Sequence, residues 1–153
     1  MKNLELKIPP PIVALAVGAI MWLADWWLPL QSGRSFNRTV VAVVILAVGL
    51  TTTAIAVFGF RKAQTTINPT TPGAASAIVS TGIYRVTRNP MYLGFLLALI
   101  AWAVFLGNVV SALIPMVFVM YMNRFQIAPE ERALRLRFGE AYEAYLRSVR
   151  RWL

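Results

Sequence analysis

Residues 81–94 read TGIYRVTRNPMYLG, and within them a polar, cationic loop becomes an apolar helix at one point. Gly82 lets the backbone turn, Arg85 and Arg88 bring two cations, and Pro90 stands where the first turn of a helix belongs. Asn89, just before that proline, is biased away from helical geometry, so the loop ends there. From Met91 to Leu106 the chain is apolar. A cationic loop is therefore fixed at the mouth of a membrane helix, whose free N–H groups suit an anionic ligand group. A positively charged membrane-border loop without a ligand accounts for the same residues.

Composition places that stretch in a membrane. Of 153 residues 58 % are apolar and 14 % charged, far from the average of a soluble domain, and the apolar residues fall in long runs. The net charge of +9 is carried by basic residues that flank those runs, which is the positive-inside pattern rather than a nucleic-acid surface. With neither cysteine nor histidine, thiol nucleophiles, disulfides and a Ser-His-Asp triad are excluded. Six acidic residues, none at metal-site spacing, give no reason to expect a metal. Chemistry here must use Arg, Glu, Tyr, Asn and backbone groups, or a bound organic cofactor.

Worked outward from residue 81, the pattern predicts an all-α integral membrane protein with four transmembrane helices in a single domain. The expected spans are about 12–30, 39–60, 91–106 and 109–125. The last two form a helical hairpin around Gly107-Asn108, and Pro115 should kink the fourth helix. No small-residue cleavage site follows the first span, so it is expected to stay as an anchor. Trp22, Trp26 and Trp27 crowd its far end, with Asp25 among them in reach of Arg34 or Arg38. The loop 63–90 carries the turn signals Asn68-Pro69 and Pro72-Gly73. After Pro129 the residues Leu134, Phe138, Tyr142, Tyr145, Val149 and Trp152 recur at helical spacing. They predict an amphipathic cytoplasmic helix over 129–151, bent at Gly139. Thirteen of fifteen Lys and Arg lie in the N-terminal lead, the loop and the tail, with only Arg34 and Arg38 on the other side. Both termini are thus expected in the cytoplasm, with loop and tail on one face.

Two motifs carry a resemblance. Residues 78–94, IVSTGIYRVTRNPMYLG, and 129–152, PEERALRLRFGEAYEAYLRSVRRW, resemble the paired signatures of the isoprenylcysteine carboxyl methyltransferase and phospholipid methyltransferase superfamily. The first signature has the form L-V-x-x-G-x-Y-x-x-x-R-H-P-x-Y-x-G; the second is a Glu pair followed by Phe-Gly-x-x-Tyr-x-x-Tyr. The resemblance covers roughly the C-terminal half. It implies S-adenosylmethionine-dependent methyl transfer to a lipophilic small molecule or lipid in a bacterial cytoplasmic membrane. It puts cofactor contacts on Ser76, Ala77, Ile78, Val79, Tyr84, Asn89, Tyr92 and Glu130. Catalytic roles would fall to Arg88, Glu131 and Arg124, and acceptor contacts to Arg124 and Gln126. Two positions depart from the pattern: Asn89 replaces the usual His, and Gln126 the Arg that contacts a prenylcysteine carboxylate, with Arg124 nearby as a substitute. Methyl transfer from a sulfonium is an in-line displacement that needs positioning more than proton traffic, which suits a chain without His or Cys.

Each of these residues has a plainer reading. Glu130 and Glu131 beside a proline favour a helix dipole, and Tyr84 and Tyr92 suit an interface. A small four-helix transporter would need an ionisable residue near mid-span, and Asp25 sits near an end. A non-catalytic membrane scaffold would need only the basic, amphipathic tail.

Overall fold

The computed structural model describes residues 4–28, 35–65 and 72–153. Arg34 and the turn signal Asn68-Pro69 lie outside the described residues. Described residues form no strands, only helices: α1 Pro10–Trp27, α2 Phe36–Lys62, α3 Pro90–Leu106, α4 Val109–Leu113, α5 Pro115–Tyr121, α6 Ala128–Phe138 and α7 Glu140–Ser148. A π-helical turn, Met122–Ile127, joins α5 to α6. Three stretches are long and apolar enough to cross a membrane, namely Pro10–Trp27, Phe36–Lys62 and Val109–Phe138, while Pro90–Leu106 is a shorter apolar helix.

The helices hold together by small contacts, since lipid offers no hydrophobic drive to pack them. In α2 the buried positions are Ala42, Gly49 and Ala56, seven residues apart, and this small-residue stripe lies against α3. At the crossing Gly49 meets Gly94. A Cβ on Gly94 would stand 2.0 Å from Thr53 Oγ1 and 2.7 Å from the Gly49 carbonyl. Gly94→Ala is therefore expected to lower stability by about 1–3 kcal/mol, the cost of overpacking. Gly73→Ala, with nothing within 4 Å, should stay within about 0.5 kcal/mol. Thermal unfolding of both variants in detergent measures the difference.

On α1, Val13, Val17 and Met21 are buried at four-residue spacing, while Leu15, Ile20, Trp22, Trp26 and Trp27 are exposed. That outward apolar face suits lipid. At the far end Gly107 takes φ +68, and a side chain there would run into the Arg38 guanidinium. Asn108 then caps α4, accepting from Val110 N–H at 2.9 Å, and donates to the Leu28 carbonyl at 2.6 Å and to Asp25 at 3.2 Å. Asp25 thus closes the end of the bundle.

Two boundaries differ from the sequence reading. The fourth apolar stretch does not end at Phe125, because no glycine interrupts it and the π turn carries it on into α6. Pro129 lacks the N–H that would serve the Phe125 carbonyl, and that carbonyl accepts from Leu6 N–H at 3.0 Å instead. Ser111, four residues before Pro115, likewise turns its carbonyl to Ile114 N–H at 3.3 Å, so the bundle absorbs that proline. The second difference is at the C-terminus. The helix breaks at Gly139, resumes as α7, and ends at Ser148, so residues 149–151 are not helical as expected. Their backbone instead pairs with the loop, Thr87 bridging Arg150.

Candidate functional site

The loop before α3 is folded by its own polar side chains. Tyr84 is buried, its hydroxyl donating to the Ala56 carbonyl at 3.4 Å and its ring edge-on to Phe60. Thr87 is 1 % exposed; its hydroxyl accepts from Asn89 N–H at 3.2 Å and donates to the Arg151 carbonyl at 3.3 Å. The Asn89 amide donates to the same carbonyl at 2.9 Å, and Arg88 N–H to the Arg150 carbonyl at 3.0 Å. Trp152 anchors the tail by donating to Asn123 at 3.1 Å. The tail is thus a staple across the loop. Asn89 leaves α3 without a side-chain cap, and among the described residues the Met91 and Tyr92 N–H groups have no backbone acceptor.

Two adjacent carboxylates face this loop from α6 in opposite surroundings. Glu131 is a buried ion-pair hub. The Arg151 guanidinium grips both its oxygens, at 3.1 and 2.6 Å, and Arg88 approaches at 3.4 Å. Glu130 has neutral donors. The Tyr92 hydroxyl and the Gln126 amide both donate to its Oε1, each at 2.5 Å. The helix Val109–Phe138 is 30 residues long, about 45 Å, against a hydrocarbon thickness of about 30 Å.

Arg88, Asn89, Tyr84, Tyr92, Glu130 and Glu131 line one open-sided cavity, walled by Phe60, Met91, Ile127, Leu134 and Tyr142. Its empty space is about 690 Å³ with the open mouth included. Among the described residues, Arg88 Nε is buried without a partner. Burial raises the Tyr84 and Tyr142 phenols far above their ordinary range and Tyr145 to about 12, so none supplies a phenolate near neutral pH.

The other residues expected at a site lie apart from that lining. Ser76 and Ala77 bond back to Thr65, and Val79 packs on Ala56 and Tyr84, with Ile78 half-buried beside it. Their neighbour Ala75 reaches the cavity wall, its carbonyl accepting from Arg137. Gln126 is 1 % exposed and supports Glu130 from beneath. Arg124 is half-exposed and pairs with Glu5 at 3.1 Å, outside the lining. Glu5 also holds Arg132, so the N-terminal lead braces the two sides of the π turn. Sequence reasoning missed Thr87, Arg151 and the non-helical tail. Nothing in the sequence separates Arg151 from Arg147 or Arg150; its role depends on where the helix ends.

Helices long and apolar enough to cross a membrane, with a cavity lined by Arg88, Glu130 and Glu131, define the class: a helical membrane protein with a candidate site beside α3 and α6. Residues 37–141 match the phospholipid methyltransferase family, and the chain belongs to that family. It is similar to an uncharacterised protein of Haemophilus influenzae, 48 % identical over 63 residues, which is 41 % of this chain and all of that one. It is also similar to a protein-S-isoprenylcysteine O-methyltransferase of Schizosaccharomyces pombe, 35 % identical over 47 % of this chain and 30 % of that one. A methanethiol S-methyltransferase of Pseudomonas deceptionensis is 32 % identical over 60 % of this chain and 34 % of its own length. The chain thus matches about a third of the length of these last two. No solved structure matches it.

Proposed function

We propose that the protein transfers a methyl group from S-adenosylmethionine to a lipophilic acceptor at the cytoplasmic face of a bacterial inner membrane. The observation that carries this is the cavity's donor set. A guanidinium with an orphaned buried Nε and the free N–H groups of α3 stand on the wall shared with a carboxylate. An amino-acid end has one anionic and one cationic group, and these surfaces complement both. Arg88 with the Met91 and Tyr92 amides would hold the cofactor carboxylate, and Glu130 its ammonium or ribose. Tyr84, Tyr142 and Phe60 offer faces to a sulfonium and an adenine. When bound, the cofactor supplies an electrophilic methyl group; the chain's part is to orient it and exclude water.

Arg88 would contact the cofactor, Glu131 would fix Arg88, and Asn89 would hold the loop through the tail. Ser76–Val79 would close the rim over the cofactor, Gln126 would hold Glu130 in place, and Arg124 would reach an acceptor only on leaving Glu5. Four spans with both termini in the cytoplasm, the loop and tail sharing that face, fit the charge split. The acceptor would enter sideways from the bilayer, between the apolar third and fourth helices. The transporter reading finds no support in Asp25, which is spent on Asn108 at the bundle's end.

Calorimetric titration of the purified protein with S-adenosylmethionine tests the reading. Saturable one-site binding is expected, and no heat of binding would overturn it. Reporter fusions at Met1, Asn37, Pro72, Asn108 and Leu153 test the topology. Pro72 and Leu153 on opposite sides would refute it.

A further inference from the structure

A second hollow lies apart from the polar cavity, as a groove between α1 and α3. It holds about 600 Å³, the volume of a small-ligand site, and its lining is apolar throughout. Leu99 is buried at its floor, while Leu15 and Trp22 stand exposed at its edge. Trp102 donates its indole N–H to the Gly18 carbonyl at 3.2 Å, which fixes one wall. Packing does not require glycine at position 18. A Cβ there would meet only Leu99, at 3.8 Å, an ordinary contact, whereas a Cβ on Gly94 would stand 2.0 Å from Thr53. Glycine is disfavoured against alanine inside a helix, so the hollow is kept open against the preference of α1. From Pro11 to Trp22 the groove runs about 16 Å along the helix. One leaflet of hydrocarbon is about 15 Å deep, half of the full thickness. The end of the groove at Phe95 lies one turn beyond Met91 of the polar cavity, so both hollows belong to the same end of the bundle. Lys7 stands at that end, three residues before α1. It is exposed, and among the described residues it forms no ion pair; Glu5 beside it is taken by Arg124 and Arg132.

We infer that this groove holds one acyl chain of an anionic membrane phospholipid, whose headgroup rests on Lys7, and that this lipid is a resident wedge between α1 and α3 rather than the methyl acceptor. The depth of the groove matches a chain from a single leaflet. Its apolar walls give a chain what they would otherwise leave empty, since helices in lipid gain from close packing and not from a hydrophobic drive. A cation at the border attracts an anionic headgroup. The groove opens between the first and third helices, away from the third and fourth between which the acceptor would enter, so the inference stands apart from the cofactor reading.

The test uses the full chain in phosphatidylcholine nanodiscs, into which phosphatidylglycerol brominated on its acyl chains is titrated. Bromine in the groove quenches Trp22 and Trp102, which line it. Quenching should show a component that saturates at a low fraction of the brominated lipid, before the surrounding lipid is replaced. Brominated phosphatidylcholine titrated in the same way should show no such component. Gly18→Leu fills the groove and should lose the saturable component. Lys7→Gln lies outside the bundle and folds regardless; its preference for phosphatidylglycerol should fall about fivefold. Native mass spectrometry of the chain released from the nanodiscs should show a monomer carrying one phospholipid. The inference is overturned by quenching that only follows the lipid fraction, by a saturable component that survives in Gly18→Leu, or by an unchanged preference in Lys7→Gln. A dimer without lipid would overturn it too, because a second copy would then cover the groove. Transfer of label from methyl-labelled S-adenosylmethionine to the retained lipid would overturn it by making that lipid the acceptor.

Discussion

Deleting residues 150–153 is expected to lower the affinity for S-adenosylmethionine by about a hundredfold or more while the protein still inserts in the membrane. The tail lies at the border and contributes no span, so insertion does not depend on it. The loop does. The deletion removes the Arg150 carbonyl that holds Arg88 N–H and the Arg151 carbonyl that holds Thr87 and Asn89. It also removes the guanidinium that grips Glu131. Three such bonds at about 1 kcal/mol each come to about 3 kcal/mol, and each 1.4 kcal/mol is about tenfold in affinity. Arg151 is partly exposed, so its ion pair adds little that salt would not screen, and backbone pairing carries most of the effect. Arg151→Ala, which keeps the carbonyls, should therefore cost less than the deletion. Calorimetry on both, with membrane-fraction analysis for insertion, checks the ordering. A truncated protein that binds normally would make the tail only an anchor.

How far the sequence could be read depends on which interactions are local. Helix starts at Pro90 and Asn108 are written in residues whose effect acts within one turn, and they stand where the sequence puts them, while α1 starts at Pro10, two residues before the expected span. The same holds for the turn at Gly107, which only a residue tolerant of positive φ can make beside Arg38. Pro115 was expected to kink its helix, and the helix is interrupted there into α4 and α5, with Ile114 keeping helical angles and the Ser111 carbonyl accepting from Ile114 N–H. The end of α7 was not legible. Residues 149–151 leave the helix because the loop offers them Thr87, Arg88 and Asn89, some sixty residues away in sequence. No helical period records such a partner.

In the candidate site, residue types were legible and their division of labour was not. The motif pointed at Arg88, Tyr92, Glu130 and Glu131, and these line one cavity. Whether a carboxylate is paired or alone depends on cations from other elements. Arg151 reaches Glu131 from the tail, and Gln126 reaches Glu130 across a π turn that no residue pattern announces. Arg124 and Gln126 are two residues apart, yet the turn sends them to opposite sides, one to Glu5 at the surface and one to Glu130.

That division predicts that the two glutamates fail in different ways. Glu131→Ala leaves the Arg88 and Arg151 guanidiniums unpaired. Arg88 is the buried one, with 13 % of its side chain exposed, and it cannot swing to water as Arg151 can. Breaking a buried pair costs about 3–5 kcal/mol, and the exposure of Arg151 takes the expected loss of stability to about 3 kcal/mol. Thermal unfolding in detergent should show it with or without cofactor. Glu130→Gln is different in kind. The amide keeps the shape and an oxygen for Tyr92, so the fold should unfold near the parent temperature. What it loses is a charge-assisted bond to the cofactor, about 1–3 kcal/mol of affinity. Glu140→Gln, on an exposed position of α7, should change neither quantity. Equal losses of affinity from Glu130→Gln and Glu140→Gln would mean that Glu130 only supports its helix. An unchanged melting temperature in Glu131→Ala would mean that the ion-pair hub does not hold the loop to α6.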